Sequence, residues 1–526
     1  MNLKTLFNKP EKNLDASAEI KFIIMREGKV FILGGGPGDP SLITQKAIDV
    51  LKKADVVIYD HLISKELLLY AEKAEKIYVG KEAGKHTLSQ EEINELMVRK
   101  AKEGKIVVRL KGGDPFIFGR GGEECEFLYE NGIDFEVVPG ISSFYSVPAY
   151  AGIPLTHRDF NSSFAVATGS SAEGLSKLDF SALSKCGTIV FLMTVKPLDT
   201  IVSNLLKFLP EDTPCAIIEN GTTPLQRTIK SDLKNIVKES RKNKISPPAI
   251  FIVGEVVKLR EKLKWYEKKK LFGKKVVITR PANQSLEFSE LLYNRGALPI
   301  LFPAIKISFQ ERHKRNIENF IRYIEKDGYG NSIVVFTSQN GVKNFFSYLN
   351  QMKKDSRIFA GKKIAVVGEK TAEEIKKFGI IADIIPQNFT TSELLKILKE
   401  TREENIFFLR AEGVKNIEDE LVKSGKNVFN IEIYSIEKEE HSEEEVKEIY
   451  NISPDILTFT SSLSFLYFKE YFDSEWITKR TIACIGEVTA KTVEKHIGRK
   501  PEIISQKQTI ENLVEEIERY FSEAKL

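Results

Sequence analysis

Residues 29–36 read KVFILGGG, followed by LITQKAIDVLKKA at 42–54, DVVIYD at 55–60 and IYVGK at 77–81. Short β-branched runs alternate with stretches whose apolar residues return at helical spacing, the pattern of an α/β fold with a parallel sheet. A second group of strand-like runs follows: SFAVATG (163–169), GTIVFLM (187–193), PCAIIEN (214–220) and PAIFIVGEVV (248–257). Residues 29–257 therefore read as two α/β lobes behind an N-terminal extension, residues 1–28.

The segment 258–272 is charged and basic and breaks the strand rhythm, so it reads as a solvated connector before a new strand, KVVITRP, at 275–281. The second half, 273–526, carries an internal repeat. IVVFTSQNGVKNFF (333–346) echoes ILTFTSSLSFLYFK (456–469), and KIAVVGEKTAEEIKKFG (363–379) echoes TIACIGEVTAKTVEKHIG (481–498). Each copy predicts strand, hydroxyl-rich turn, helix, then strand, glycine turn, helix. Two similar lobes follow, with the turns at strand C-terminal ends, where open α/β sheets bind ligands.

At 526 residues the chain is too long for one core, at roughly 150 residues per domain. Its 78 Lys and Arg nearly balance 74 Asp and Glu, and a net charge of +4 argues against general affinity for nucleic acid or membrane. No run reaches the ~18 apolar residues of a membrane-spanning helix. Cys125, Cys186, Cys215 and Cys484 lie far apart, leaving neither a zinc motif nor a disulfide framework, which fits a reducing cytoplasm.

The glycine loops fail the common nucleotide motifs. In Gly34-Gly35-Gly36-Pro37-Gly38-Asp39-Pro40 a dinucleotide fingerprint needs glycine where Asp39 or Ser41 stands, and the prolines stiffen the turn. The run from Gly80 to Thr87 has three residues between its glycines where a phosphate loop needs four. A third loop, RLKGGDPFIFGRGGEE (109–124), holds Arg109, Lys111, Asp114 and Arg120. EVVPGISSFYSVPAYAGIPLTHRD (136–159) adds a hydroxyl turn and a Tyr-rich segment, and together these read as one large ligand site. Within it His157, beside Arg158 and Asp159, reads as a surface or capping residue.

These strings, in this order, resemble the uroporphyrinogen-III C-methyltransferase branch of the tetrapyrrole methylases over about 29–257. The resemblance implies S-adenosylmethionine as methyl donor and two methylations of uroporphyrinogen III to precorrin-2, toward sirohaem and cobalamin-type products. It places the cofactor against Pro37, Gly112, Gly113, Asp114, Ser142, Ser143, Met193, Ala216, Pro248 and Ala249. Arg109 takes a catalytic or orienting role toward a substrate with eight carboxylates, which guanidinium forks match. Asp60 is a further catalytic candidate, and Asp39, Lys111 and Arg120 are candidates for binding substrate. Where relatives carry Thr-Gly-His this chain has Thr168-Gly169-Ser170, so no histidine role carries over.

The second half resembles uroporphyrinogen-III synthase through ITRP (278–281), FTSQNGV, VVGEKTA, the stretch 409–438, FTSSLS and CIGEVTA. This implies closure of hydroxymethylbilane with inversion of one ring, without metal or organic cofactor. Its candidates are Tyr434 as proton donor and Arg280, Thr337, Ser338, Arg410, Thr460, Ser461 and Thr489 as substrate contacts. The resemblance further implies a cytoplasmic bifunctional enzyme, homodimeric through its methyltransferase half. Two alternatives stand beside it: methylation of a later precorrin, or a non-catalytic two-lobed ligand-binding module in the second half.

Overall fold

Val30, Ile32 and Leu33 are fully buried on a six-residue strand, and a strand covered on both faces must be apolar on both. The computed structural model describes residues 28–80, 88–169, 175–326, 331–387, 391–413 and 418–523. The glycine run beyond Gly80, Ser170 and residues 1–27 of the extension lie outside them. The chain divides into units Met1–Tyr266 and Glu267–Leu526.

In the first unit β1 (Lys29–Gly34), β2 (Val56–Tyr59), β3 (Glu75–Tyr78), β4 (Ile106–Lys111) and β5 (Asp134–Val138) form a parallel sheet in the order β3-β2-β4-β1-β5. Alternate residues supply its two cores. Ile32, Ile58 and Val107 pack beneath Leu96 and Met97 of helix Gln90–Lys102, while Leu33, Val57 and Val108 meet Ala47 and Leu51 of helix Gln45–Leu51. Ser89 and Glu92 close a capping box at the start of the first of these helices. All five strands end at one edge, where the glycine loops sit.

The second lobe comprises β6 (Phe164–Thr168), β7 (Thr188–Leu192), β8 (Pro214–Glu219), β9 (Arg227–Asp232) and β10 (Ala249–Val253), ordered β6-β7-β10-β8-β9. Only β6 and β7 run parallel; the other three pairs are antiparallel. The short 220–226 connection forces this for β8 and β9, since a parallel return needs a crossover. Helix Ser143–Tyr150 joins the lobes, its Val147 packing on Val190, Ala216 and Ile252.

The charged stretch after Val257 is less solvated than its composition predicts. Tyr266 is fully buried with its ring 4.7 Å from Tyr150, the buried Arg260 donates to the Ala151 carbonyl, and Trp265 Nε1 donates to Ala149 at 3.1 Å. Its aromatic residues are anchors, which a reading by charge overlooks.

The second unit contains β11 (Lys275–Ile278), β12 (Leu298–Leu301), β13 (Ile305–Ser308), β14 (Ser332–Phe336), β15 (Lys363–Val366), β16 (Asn405–Ala411), β17 (Asn427–Lys438), β18 (Ile456–Phe459), β19 (Thr481–Cys484) and β20 (Ile503–Ile504). One sheet runs β12-β11-β18-β19-β20, all parallel. The other runs β13-β17-β16-β14-β15, parallel except for the antiparallel β13–β17 pair. The repeat halves do land in separate lobes, but one lobe is inserted into the other. The chain enters the inserted lobe by β13 and leaves it by β17, and Glu439 N bonds Ala304 O at 3.1 Å where these strands meet the first lobe.

Candidate active sites

At the C-terminal edge of the first sheet three loops cross with almost no space between their backbones. Gly36 and Gly113 pair in a two-residue bridge, with N···O distances of 3.2 and 2.6 Å. A Cβ on Gly140 would lie 2.2 Å from the Gly113 carbonyl and 2.8 Å from Gly34 Cα, so only glycine fits. Asp114 fastens the crossing: Oδ2 accepts from Gly140 N at 3.0 Å and Oδ1 from Phe116 N at 2.8 Å.

This edge gathers Pro37, Gly112, Gly113, Asp114, Ser142 and Ser143. Gly38 carries it to the second lobe, its Cα facing the side chains of Thr222 and Thr223. There Met193 follows β7 with φ +55° and is about half exposed, while Pro248 accepts from Asn220 N at 2.9 Å beside Ala249. Beyond Met193 the buried Thr194 hydroxyl has no hydrogen-bond partner among the described residues. Ala216 stands apart, buried mid-strand in the joining core.

Asp39 is turned inward. Oδ1 accepts from Ser41 N and Oγ at 2.9 and 2.7 Å, and Oδ2 accepts from the Tyr150 hydroxyl at 2.9 Å. Burial and the Asp39 carboxylate push the Tyr150 phenol well above its usual range. Arg120 points outward, its Nε donating to Glu123 at 2.9 Å, and His157 accepts from Asp159 N at 3.2 Å as a turn-forming residue.

The charged centre lies at the ends of β2 and β4. Arg109 is 4% exposed and donates from Nε to Glu124 at 3.2 Å, from NH1 to the carbonyls of Ile58 and Leu110 at 3.4 and 3.3 Å, and from NH2 to Asp60 at 3.5 Å. Lys111 Nζ donates to Glu124 at 2.9 Å. Burial, then the neighbouring Arg109, lowers the Lys111 pKa, against the pull of Glu124. The Arg109 fork, expected to face substrate carboxylates, is thus taken up by the chain itself. Asp60 keeps a partly solvent-facing carboxylate, with Oδ1 accepting from Leu62 N at 3.1 Å. Glu124 carried no expected role, although two cations two residues apart on a buried strand face call for a buried anion.

In the second unit the hydroxyl turns sit where the repeat predicts. Ser338 and Ser461 start their helices with matching backbones (φ −156° and −158°), accepting from Gly341 N and Ser464 N at 3.1 Å each. Ser338 also meets the Tyr434 hydroxyl at 2.9 Å. Burial raises the Tyr434 pKa and the Ser338 bond offsets it in part, so the phenol keeps its proton at neutral pH. Arg410, buried beside Phe408, lies on the strand next to Tyr434 at a bulge.

Across the inter-lobe cleft Arg280 NH2 donates to Gln284 at 3.0 Å, and Gln284 donates to Asn340 of the inserted lobe at 2.9 Å. Lys370 reaches back to Glu511 at 3.2 Å and Glu287 at 3.9 Å. Burial lowers the Arg280 pKa. Thr337 and Thr460 follow β14 and β18, and Thr489 is buried in the first turn of helix Glu487–Ile497. Asn340 and Lys370 lie within the FTSQNGV and VVGEKTA strings without having been singled out there, and Gln284 and Glu511 lie in no motif that marks them. Among the described residues no group of three or more His, Cys, Asp or Glu could hold a metal ion, and no helix is long and apolar enough to cross a membrane.

Residues 29–237 match the Tetrapyrrole (Corrin/Porphyrin) Methylases family, and residues 287–515 match Uroporphyrinogen-III synthase HemD. The porphyrin biosynthesis protein HemD of Ruminiclostridium josui is 38% identical over 504 residues, covering 94% of this chain and 98% of that protein. The uroporphyrinogen-III C-methyltransferase of Methanocaldococcus jannaschii is 54% identical over 235 residues, 44% of this chain and 97% of its own. Among solved structures, a uroporphyrin-III-C-methyltransferase of Thermus thermophilus aligns with 45% of this chain and 98% of its own at 37% identity and TM-score 0.40.

Proposed function

Because the chain belongs to the HemD porphyrin-biosynthesis proteins, with a tetrapyrrole methylase ahead of a uroporphyrinogen-III synthase, we propose that it catalyses two consecutive steps. The second unit closes hydroxymethylbilane to uroporphyrinogen III with one ring inverted. The first methylates that product twice to precorrin-2, toward sirohaem and cobalamin-type products. It works in the cytoplasm as a homodimer joined through the methyltransferase half.

The observation that carries the methyltransferase reading is the close crossing of the loops at Gly34, Gly113 and Gly140, at the C-terminal edge of the sheet whose strands also end in Asp60 and carry Arg109. S-adenosylmethionine supplies an activated methyl group on a sulfonium. The residues fit it: the backbone at Gly112 and Asp114, the turn at Ser142 and Ser143, and the Thr194 hydroxyl beside Met193, which has no partner among the described residues, offer polar atoms. Holding an electron-rich pyrrole carbon in line with that methyl provides much of the rate.

After transfer the pyrrole ring must lose a proton, and Asp60 is placed to take it. Its carboxylate is the partly open member of the cluster, and Arg109 keeps a positive charge 3.5 Å behind it. In the synthase unit Tyr434 donates its retained proton to the departing hydroxide while Ser338 fixes the phenol's direction. Arg280, Arg410 and the hydroxyl turns hold substrate carboxylates as the lobes close, excluding water from the cleft.

Purified chain supplied with hydroxymethylbilane and S-adenosylmethionine is expected to form precorrin-2, and to stop at uroporphyrinogen III when the donor is left out. Ring closure without methyl uptake by uroporphyrinogen III, but with uptake by a later precorrin, would replace the methyltransferase half of this reading.

A further inference from the structure

Glu124 is fully buried on helix Gly121–Glu130, and a single oxygen serves three donors. Oε1 receives Gln90 Nε2 at 3.1 Å, Arg109 Nε at 3.2 Å and Lys111 Nζ at 2.9 Å, while the equally buried Oε2 has no partner among the described residues. Arg109 is thereby held at both ends. Its Nε is fixed by Glu124, its NH1 by two backbone carbonyls, and only NH2 extends toward the solvent-facing edge, where it meets Asp60. Among the described residues the charged groups facing Asp60 are Arg109 and Lys111 from β4, with Glu124 bonded to both.

We propose that Glu124 is a positioning residue for methyl transfer: it orients the Arg109 guanidinium, which in turn holds Asp60 ready to accept the proton released by the methylated pyrrole. This rests on the methyltransferase reading above. A glutamate that served only to neutralise two buried cations would need no directional link to the site. Here the link is directional, because the Nε contact sets the plane of the guanidinium and so the place of NH2. A guanidinium free to rotate would present the carboxylate with a different edge, and proton transfer depends on where the acceptor stands. Uptake of the methyl donor draws on the glycine edge and does not involve Glu124.

The test is a kinetic cycle on the full chain with uroporphyrinogen III and S-adenosylmethionine. Glu124→Gln is expected to lower kcat about 10–100-fold, with KM for uroporphyrinogen III and calorimetric donor affinity changed less than about 3-fold. In an Asp60→Asn background the same change should cost less than about 3-fold, because the two residues act in series. The charge-balanced pair Lys111→Met with Glu124→Gln guards against misfolding, since it removes one buried cation along with the anion, and its kcat is expected to stay low. Three results overturn the proposal: wild-type kcat in Glu124→Gln, its full effect persisting in Asp60→Asn, or recovery of kcat in the charge-balanced pair. Wild-type chain that transfers no methyl to uroporphyrinogen III would instead remove the parent reading.

Discussion

Gly34→Ala tests whether the glycine crossing makes the donor site. Gly34 has no left-handed backbone to release, so the whole effect is steric. The added methyl carbon would stand 2.6 Å from the Gly113 carbonyl oxygen and 2.7 Å from both Gly140 Cα and Gly140 N. All three are backbone atoms, so no side chain can swing aside, and restoring ordinary contact moves the loops apart by about 0.8 Å. Overpacking of this kind costs about 1–3 kcal/mol. For a unit of this size that lowers the melting temperature by about 2–12 °C. A displacement near 1 Å at a reacting centre costs about 100-fold in rate. Calorimetry with S-adenosylmethionine and a methyl-transfer assay should therefore show weakened uptake and about 100-fold slower transfer. Ring closure of hydroxymethylbilane by the other unit, which is unchanged, serves as the internal control. Gly132→Ala is the matched comparison: its φ is +68° with nothing within 4 Å of the new carbon, so it costs about 1–2 kcal/mol of backbone strain and leaves donor uptake intact. Wild-type donor affinity in Gly34→Ala would refute the assignment of the site to this edge.

Tyr434→Phe is expected to slow formation of uroporphyrinogen III about 100-fold with the fold intact. Because burial raises the Tyr434 pKa above the usual 10.0, the wild-type rate should show no alkaline limb from this group between pH 6 and 9. Its favourable contribution to stability is complete below the ordinary tyrosine value and is lost as pH rises through the folded one, which urea titration above pH 10 will read. Lys370→Met removes an exposed link between the lobes, with 47% and 44% side-chain exposure for Lys370 and Glu511, and should cost no more than about 1 kcal/mol in urea denaturation. A loss several times larger would show the cleft held by that ion pair. Iodoacetamide at pH 8 should label Cys186 first by mass spectrometry, since Cys125, Cys215 and Cys484 are buried and burial pushes the Cys484 thiol up to about 12.

The fold was legible wherever one residue type has one physical use. Runs such as KVFILG and IVVF, short, β-branched and bounded by turn residues, read as buried strands and are strands, and the paired hydroxyl turns of the repeat became matching helix caps at Ser338 and Ser461. What the pattern did not contain is insertion. Strands β11 and β12 precede the inserted lobe in sequence, yet β11 pairs with β18 after it, and no local periodicity records which sheet a strand joins. The antiparallel pairs of the second lobe were hidden for a related reason, because alternation of strand and helix is equally compatible with a hairpin return between β8 and β9.

Legibility of the sites follows the same division between backbone and side chain. The glycine-rich loops stand out in the sequence, and in the structure Gly34 and Gly140 leave no room for a side chain where the loops cross while Gly113 takes a left-handed φ of +67°. Charged residues are ambiguous in a way glycine is not, since a carboxylate or guanidinium can serve a ligand or another residue with equal ease. Arg109 and Asp39 show the second use: one is spread over Glu124, two carbonyls and Asp60, the other over Ser41 and Tyr150. Glu124 lies 15 residues from Arg109 and Tyr150 lies 111 from Asp39, beyond any spacing rule. The strand itself nevertheless held a usable signal. Arg109 and Lys111 alternate onto one face of a strand flanked by apolar neighbours, and two cations there are tolerated only with an anion between them. Searching the flanking helix for that anion leads to the acidic pair after the glycines, and the helix turns Glu124 inward and leaves Glu123 to Arg120 at the surface. A charge buried in this way belongs to the architecture of the site, so substitution of Glu124 is expected to act on the placement of Asp60 before it acts on any ligand.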